Sequence, residues 1–286
     1  MKFGMPLFGV SPRHYGDIAQ AAELNGFESV WLPEHLVFPE EIPPTYLYTE
    51  SGYPPVTADT ALFDPWVALS FIAHATSTIR LATNVFILPL RHPLAVARSV
   101  VTLDRFSNGR VTFGVGVGWL EEEFVAMGQS FHDRGKRADA MIPLLRRLWS
   151  DDVIEEHNEH FDFGPVKFQP KPRAGSIPIE VGGASPAALR RAGALGDGWI
   201  EIGSSTLDEA QENLDIVLAA RRAAGREDLP FEVTFGGKFG RDLDAIRRCQ
   251  EAGVTRLIVA PDVDRITPDA ITDFTKRFAD EILSRV

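Results

Sequence analysis

Cysteine is almost missing from this 286-residue chain: Cys249 stands alone, so no internal disulfide can staple it. Long apolar runs are missing too. No stretch approaches the roughly 20 residues that cross a bilayer. The opening "MKFGMPLFGVSPRHYGD" carries glycine, proline and charge where a secretory signal needs an unbroken apolar core. Positive charge is short, with 29 Lys and Arg against 40 Asp and Glu, a formal net charge of -11. Such a chain repels phosphate backbones. These absences predict a cytoplasmic protein with neither a membrane nor a nucleic-acid partner. Neither HExxH nor CxxC occurs, and the dense "HNEH" (157–160) has no partner motif, so no metal is expected. Serine hydrolysis lacks its G-x-S-x-G elbow.

What is present is rhythm. Short β-rich runs at 2–8, 28–33, 79–88, 110–116, 177–183, 198–202, 230–236 and 255–261 alternate with segments of helical period. Helix starts are marked by Asp64-Pro65, by Ser185-Pro186 and by Thr206 with Glu209, the last pair spaced as a capping box. About eight strand–helix units imply parallel pairing through right-handed crossovers, and most simply an α/β (β/α)₈ TIM barrel spanning 1–286 as one domain. Two stretches interrupt the pattern, after strands two and four. Residues 34–63 are proline-rich and hold Tyr46, Tyr48 and Tyr53. On a barrel they would lie at the C-terminal face, as a lid or pocket wall. Residues 150–176 read as a short hairpin or an extended excursion.

The run "GRVTFGVGVGWLEEEF" (109–124) imitates a dinucleotide-binding turn, with Gly114, Gly116 and Gly118 after an apolar strand. Trp119 stands where the third glycine of G-x-G-x-x-G would need to be, and the segment falls on the fourth strand rather than the first. A Rossmann reading therefore fails. The glycines either admit a flat ligand to the backbone or relieve crowding inside the barrel. Trp119 and the acids Glu121, Glu122 and Glu123 would form a rim.

Three segments carry a specific likeness: "NGFESVWLPEH" (25–35), the long run 64–124 from "DPWVALSFIAHAT" to "GWLEEEF", and "PIEVGGASPAALRRAGALGDGW" (178–199). Together they resemble the luciferase-like monooxygenase superfamily, and within it the branch of oxidoreductases that use the deazaflavin coenzyme F420. The resemblance implies a barrel holding F420, or alternatively FMN, at its C-terminal face, often in a homodimer or higher homo-oligomer. It implies a non-prolyl cis peptide at Asn84-Val85, supporting the middle of the tricyclic ring. It also implies that His35 contacts the ring and exchanges a proton as hydride moves; an imidazole titrates near neutrality and suits that work. Glu34 would polarise the ring's carbonyl edge or orient the loop.

The phosphate would sit at Gly182, Gly183 and Ser185, where a strand ends and a helix begins with unpaired amides. Arg137, with Arg134 one turn earlier, would contact phosphate or an acidic tail, or pair with Glu122 or Glu123. Glu122 is the rim acid expected at the cofactor. The expected activity is F420-dependent hydride transfer to or from a small organic molecule. An FMN monooxygenase using O₂ is one alternative, and a non-catalytic flavin-binding barrel is another. Apolar excess in 64–76 and 93–106 fits helices that pair across a dimer.

Overall fold

A computed structural model describes residues 1–240, 242–262 and 267–286. The parallel strands are β1 (Lys2–Pro6), β2 (Ser29–Leu32), β3 (Arg80–Thr83), β4 (Phe86–Ile87), β5 (Val111–Gly116), β8 (Ile179–Gly182), β9 (Gly198–Ile200), β10 (Glu232–Gly236) and β11 (Arg256–Ile258). Their order is β3-β2-β1-β11-β10-β9-β8-β5-β4, and a further β3–β5 pairing closes the ring. β3 and β4 are the two halves of one barrel strand, separated by a cis Asn84-Val85 peptide. The expected eight-fold α/β barrel is thus the observed one. Its strands are one to four residues shorter than the apolar runs, because each run continues into the adjoining loop.

Helices α1 (Tyr15–Leu24), α2 (Pro65–Ala75), α3 (Pro93–Phe106), α5 (Arg134–Ser150), α6 (Pro186–Leu195), α7 (Leu207–Ala223), α8 (Leu243–Glu251) and α9 (Pro268–Glu281) surround the sheet, and α4 (Glu121–Ala126) is a short turn beyond β5. The signalled starts are real. Asp64 accepts the amides of Trp66 and Val67, and Ser185 Oγ accepts that of Ala188. Each such cap stabilises by about 1 kcal/mol. Thr206 caps the Glu209 amide, but Glu209 reaches back to the amide of Ser205, one residue before the cap. The second interruption is the hairpin β6 (Ile154–His157) and β7 (Asp162–Val166).

Side chains inside the ring form layers. At the N-terminal floor, Arg256 donates to Glu180 at 2.8 and 3.0 Å, to Thr234 at 2.8 Å and to Glu28 at 3.1 Å. Glu232, bonded to Lys2, lies 3.6 Å from the same guanidinium. Burial alone would favour the neutral Arg256; the carboxylates of Glu180 and Glu28 outweigh it and hold the charge in place. Above this floor Trp31, Ala82, Ile200 and Ile258 pack together, with Val85 and Ile202 as the last layer before the mouth.

The glycines at the end of β5 are explained by that packing. A side chain on Gly114 would collide with the Thr83 carbonyl. A Cβ on Gly116 would come within 2.6 Å of Val85 Cγ2, and one on Gly182 within 2.7 Å of Val85 Cγ1. Relief of crowding is therefore the observed reading of these glycines. Gly116 and Gly182 make room for Val85, whose side chain is wedged between their two strands at the top of the barrel, and Gly114 makes room for the Thr83 carbonyl.

Candidate functional site

The C-terminal mouth is built from the ends of β2, β4, β5, β8 and β9. Two carboxylates behind β2 fix its first loop. Glu34, buried, takes the Ile87 amide at 2.8 Å and Arg91 at 2.6 Å, tying the end of β2 to the strand just past Val85. Burial raises the Glu34 carboxyl above its ordinary range despite the Arg91 charge, with nearby Glu123 adding to the rise. Both oxygens of Glu34 are thus engaged, one by the Ile87 amide and one by Arg91.

Glu123, on α4 and fully enclosed, bonds the Leu36 amide at 2.6 Å and His35 Nδ1 at 2.8 Å. A carboxylate can only accept, so Nδ1 carries a proton and Nε2 is the nitrogen turned away from Glu123. Among the described residues nothing bonds Nε2. His35 stacks obliquely on Phe38, centroids 4.8 Å apart, and meets the edge of Trp119 at 5.8 Å. The arrangement is an oriented imidazole with one nitrogen available for proton exchange.

The loop after β2 folds over this end of the barrel. Its segment 45–53 is bonded to itself, Tyr46 amide to Gly52 carbonyl at 2.7 Å and Thr49 hydroxyl to Tyr53 carbonyl at 2.7 Å. Tyr46 lies between Tyr48 and Trp119, centroids at 5.3 and 5.1 Å, both edge-on. Hollows open beside the cover. One, of about 370 Å³, is lined mainly by apolar groups such as Phe8, Tyr15, Pro33 and Phe63. Another, of about 260 Å³, runs past Thr45, Trp119, Glu122 and Arg134.

On the far wall, Gly183 sits at φ +126°, and Trp199 Nε1 donates to its carbonyl at 3.0 Å. Beside it, β9 continues into Glu201, a buried carboxylate that accepts the Ser204 amide at 2.7 Å. Burial raises the Glu201 carboxyl; the Ser204 bonds and the Lys238 charge oppose that rise. Lys238 Nζ donates to the Ser204 carbonyl.

A sequence model described as luciferase-like monooxygenase matches residues 2–242. The chain belongs to that family. An uncharacterised Mycobacterium tuberculosis protein is 34% identical over 94% of this chain and 95% of its own length. The F420-dependent hydroxymycolic acid dehydrogenase of the same organism is 31% identical over 77% of this chain and 55% of its own length. The crystal structure of the monooxygenase RslO1 from Streptomyces bottropensis superposes with TM-score 0.78 at 22% identity, covering 99% of each chain. A luciferase-like chain with a dehydrogenase among its relatives is an oxidoreductase.

Within this family fold, the expected residues part company. His35, Glu34, Asn84, Val85, Gly182 and Gly183 come together at one end of the barrel. Ser185 lies at the same rim, exposed, with its hydroxyl used as a helix cap. Arg137 does not reach the mouth: its guanidinium is bonded to Pro89 and Ser130 carbonyls and to Asp133. Arg134 is likewise bonded to Gly118 and Phe131 carbonyls and lies over the Phe131 ring. Neither pairs with Glu122 or Glu123 as expected. Glu122 is exposed, and the acid that touches His35 is its neighbour Glu123. Helical phase carried that signal, since Glu123 and Phe124 form the inward face of α4. Glu201 and Lys238 had no motif to announce them.

Proposed function

We propose that this oxidoreductase moves a hydride between the deazaflavin coenzyme F420 and a small organic substrate, in a barrel that comprises the whole of 1–286. The observation that carries this reading is the Glu123–His35 pair, which leaves His35 Nε2 free at the barrel mouth. The 31% likeness to an F420-dependent dehydrogenase supports the choice of cofactor. The residues present fit such a group chemically. An apolar shelf formed by Val85 and Ile202 suits a flat ring, and the Ala184 amide, just before α6, suits a phosphate. Asn84 and Val85 would lie under the ring, with the Gly183–Ser185 turn at the phosphate. Gly182 would act indirectly, by making room for Val85. We assign Glu34 to positioning rather than to ring contact, and leave Glu122 and Arg137 out of the site.

Bound F420 would supply the hydride donor or acceptor; the protein supplies placement and the proton. As a substrate carbonyl is reduced, its oxygen needs a proton, which His35 Nε2 gives in the imidazolium form. In the reverse direction the neutral ring takes the proton from the alcohol. The carboxylate of Glu123 keeps the imidazole turned the right way. The aromatic cover of Tyr46, Tyr48 and Trp119 would exclude water.

The same reading includes a homodimer. Val67 and Phe71, one turn apart on α2, are 72% and 58% exposed, an apolar stripe suited to a second copy. Turnover is the test. Reduced F420 mixed with aldehydes and ketones should be reoxidised without O₂ in the presence of the protein. Consumption of O₂ with reduced FMN, and none of the former reaction, would instead make it a flavin monooxygenase.

A further inference from the structure

The notch between the loops after β8 and β9 is filled by a residue from the other side of the barrel. The Tyr48 ring presses against Gly203, which sits at φ +100°, so closely that any side chain there would collide with it. The Ala184 amide faces the Tyr48 hydroxyl, which is also 3.4 Å from where a Cβ on Gly183 would stand. Both glycines have backbone angles that other residues rarely adopt, and both border the same phenol. The notch has stiff walls. Trp199 holds the Gly183 carbonyl, while Glu201 and Lys238 hold the Ser204 amide and carbonyl. The charge of Glu201 is opposed by that of Lys238.

We infer that Tyr48 is a latch: its hydroxyl occupies the notch beside Gly183, against the Ala184 amide, pins segment 45–53 across the barrel mouth, and must leave before a ligand's anionic group can enter. The inference rests on the cofactor reading above for the identity of that group. A phenol oxygen on the Ala184 amide takes the place that a phosphate oxygen would fill. Closed molecules cannot bind, so apparent affinity is reduced by the fraction that is open.

Removing the hydroxyl therefore has an unusual sign. Tyr48→Phe keeps the ring but gives up the hydroxyl's polar contact with the Ala184 amide, and losing such a contact typically changes an opening equilibrium several-fold. Titrating the intact protein with oxidised F420, followed by fluorescence, Tyr48→Phe should lower the apparent Kd about fivefold. Hydrogen exchange of 45–53 in the ligand-free variant should quicken by a similar factor. An unchanged or raised Kd in the variant would overturn the latch, since a tyrosine that touches the bound ligand weakens binding when trimmed. If neither protein binds F420, the cofactor reading fails, and exchange alone decides. Faster exchange of 45–53 then upholds the latch, and unchanged exchange overturns it.

Discussion

The two ends of the barrel both bury charge, and they use it differently. At the floor, Arg256 is surrounded by Glu180, Glu28, Glu232 and Thr234, and the cluster is complete within itself. At the mouth, Glu34 and Glu123 spend their oxygens on backbone amides and on one side-chain donor each, and among the described residues nothing bonds Nε2 of His35. A closed network fixes the ring of strands. An incomplete one presents chemistry. The contrast matches the division of labour in barrels, stability below and reaction above.

Breaking the floor should have the largest effect. Arg256→Met strands Glu180 as a buried, uncompensated acid and should cost about 3–5 kcal/mol in urea unfolding. At the mouth, His35→Gln should lower turnover about a hundredfold while moving the unfolding midpoint little. Equal losses of stability at both ends would erase the distinction. Glu123→Gln sharpens it. The amide retains the shape but holds the imidazole less firmly, so the loss in turnover should be nearer tenfold.

The smallest effect lies outside both clusters. Burial pushes the Glu23 carboxyl up, but hydrogen bonds from Thr78, Ile79 and Ser77 outweigh it, and its net position is below the ordinary 4.5. An acid depressed on folding stabilises above its unfolded value and loses that contribution as pH falls through its folded one. Glu23→Gln should therefore cost about 1 kcal/mol at neutral pH. The gap from wild type should close as the pH is taken below about 4.5 in denaturation series.

The strand rhythm, the capped helices and the hairpin were legible because each depends on local pattern: an apolar run, Asp64 before Pro65, Ser185 before Pro186. The cis Asn84-Val85 peptide came from resemblance, since nothing in "TNVF" alone encodes it. The glycines Gly114 and Gly116 were visible, but their partners were not, because Thr83 and Val85 each lie some thirty residues away and meet them only when the ring closes. Glu122 was chosen over Glu123 for the same reason. In a run of three glutamates only the helix phase against β2 selects the one that finds His35. Arg137 was misplaced because spacing gives a face and not what that face meets; it meets Pro89, Ser130 and Asp133. Tyr48 was rightly put in a cover, but its seat on Gly203 joins residues 155 apart in sequence.

Parallel fluorescence titrations with oxidised F420 and with FMN test the central claim most directly, using wild type and a Val85→Asp variant that puts charge on the apolar shelf. The account predicts saturable binding of the deazaflavin at one site per chain, weaker FMN binding, and loss of the deazaflavin signal in the variant. FMN bound preferentially, or deazaflavin bound equally well to Val85→Asp, would contradict it.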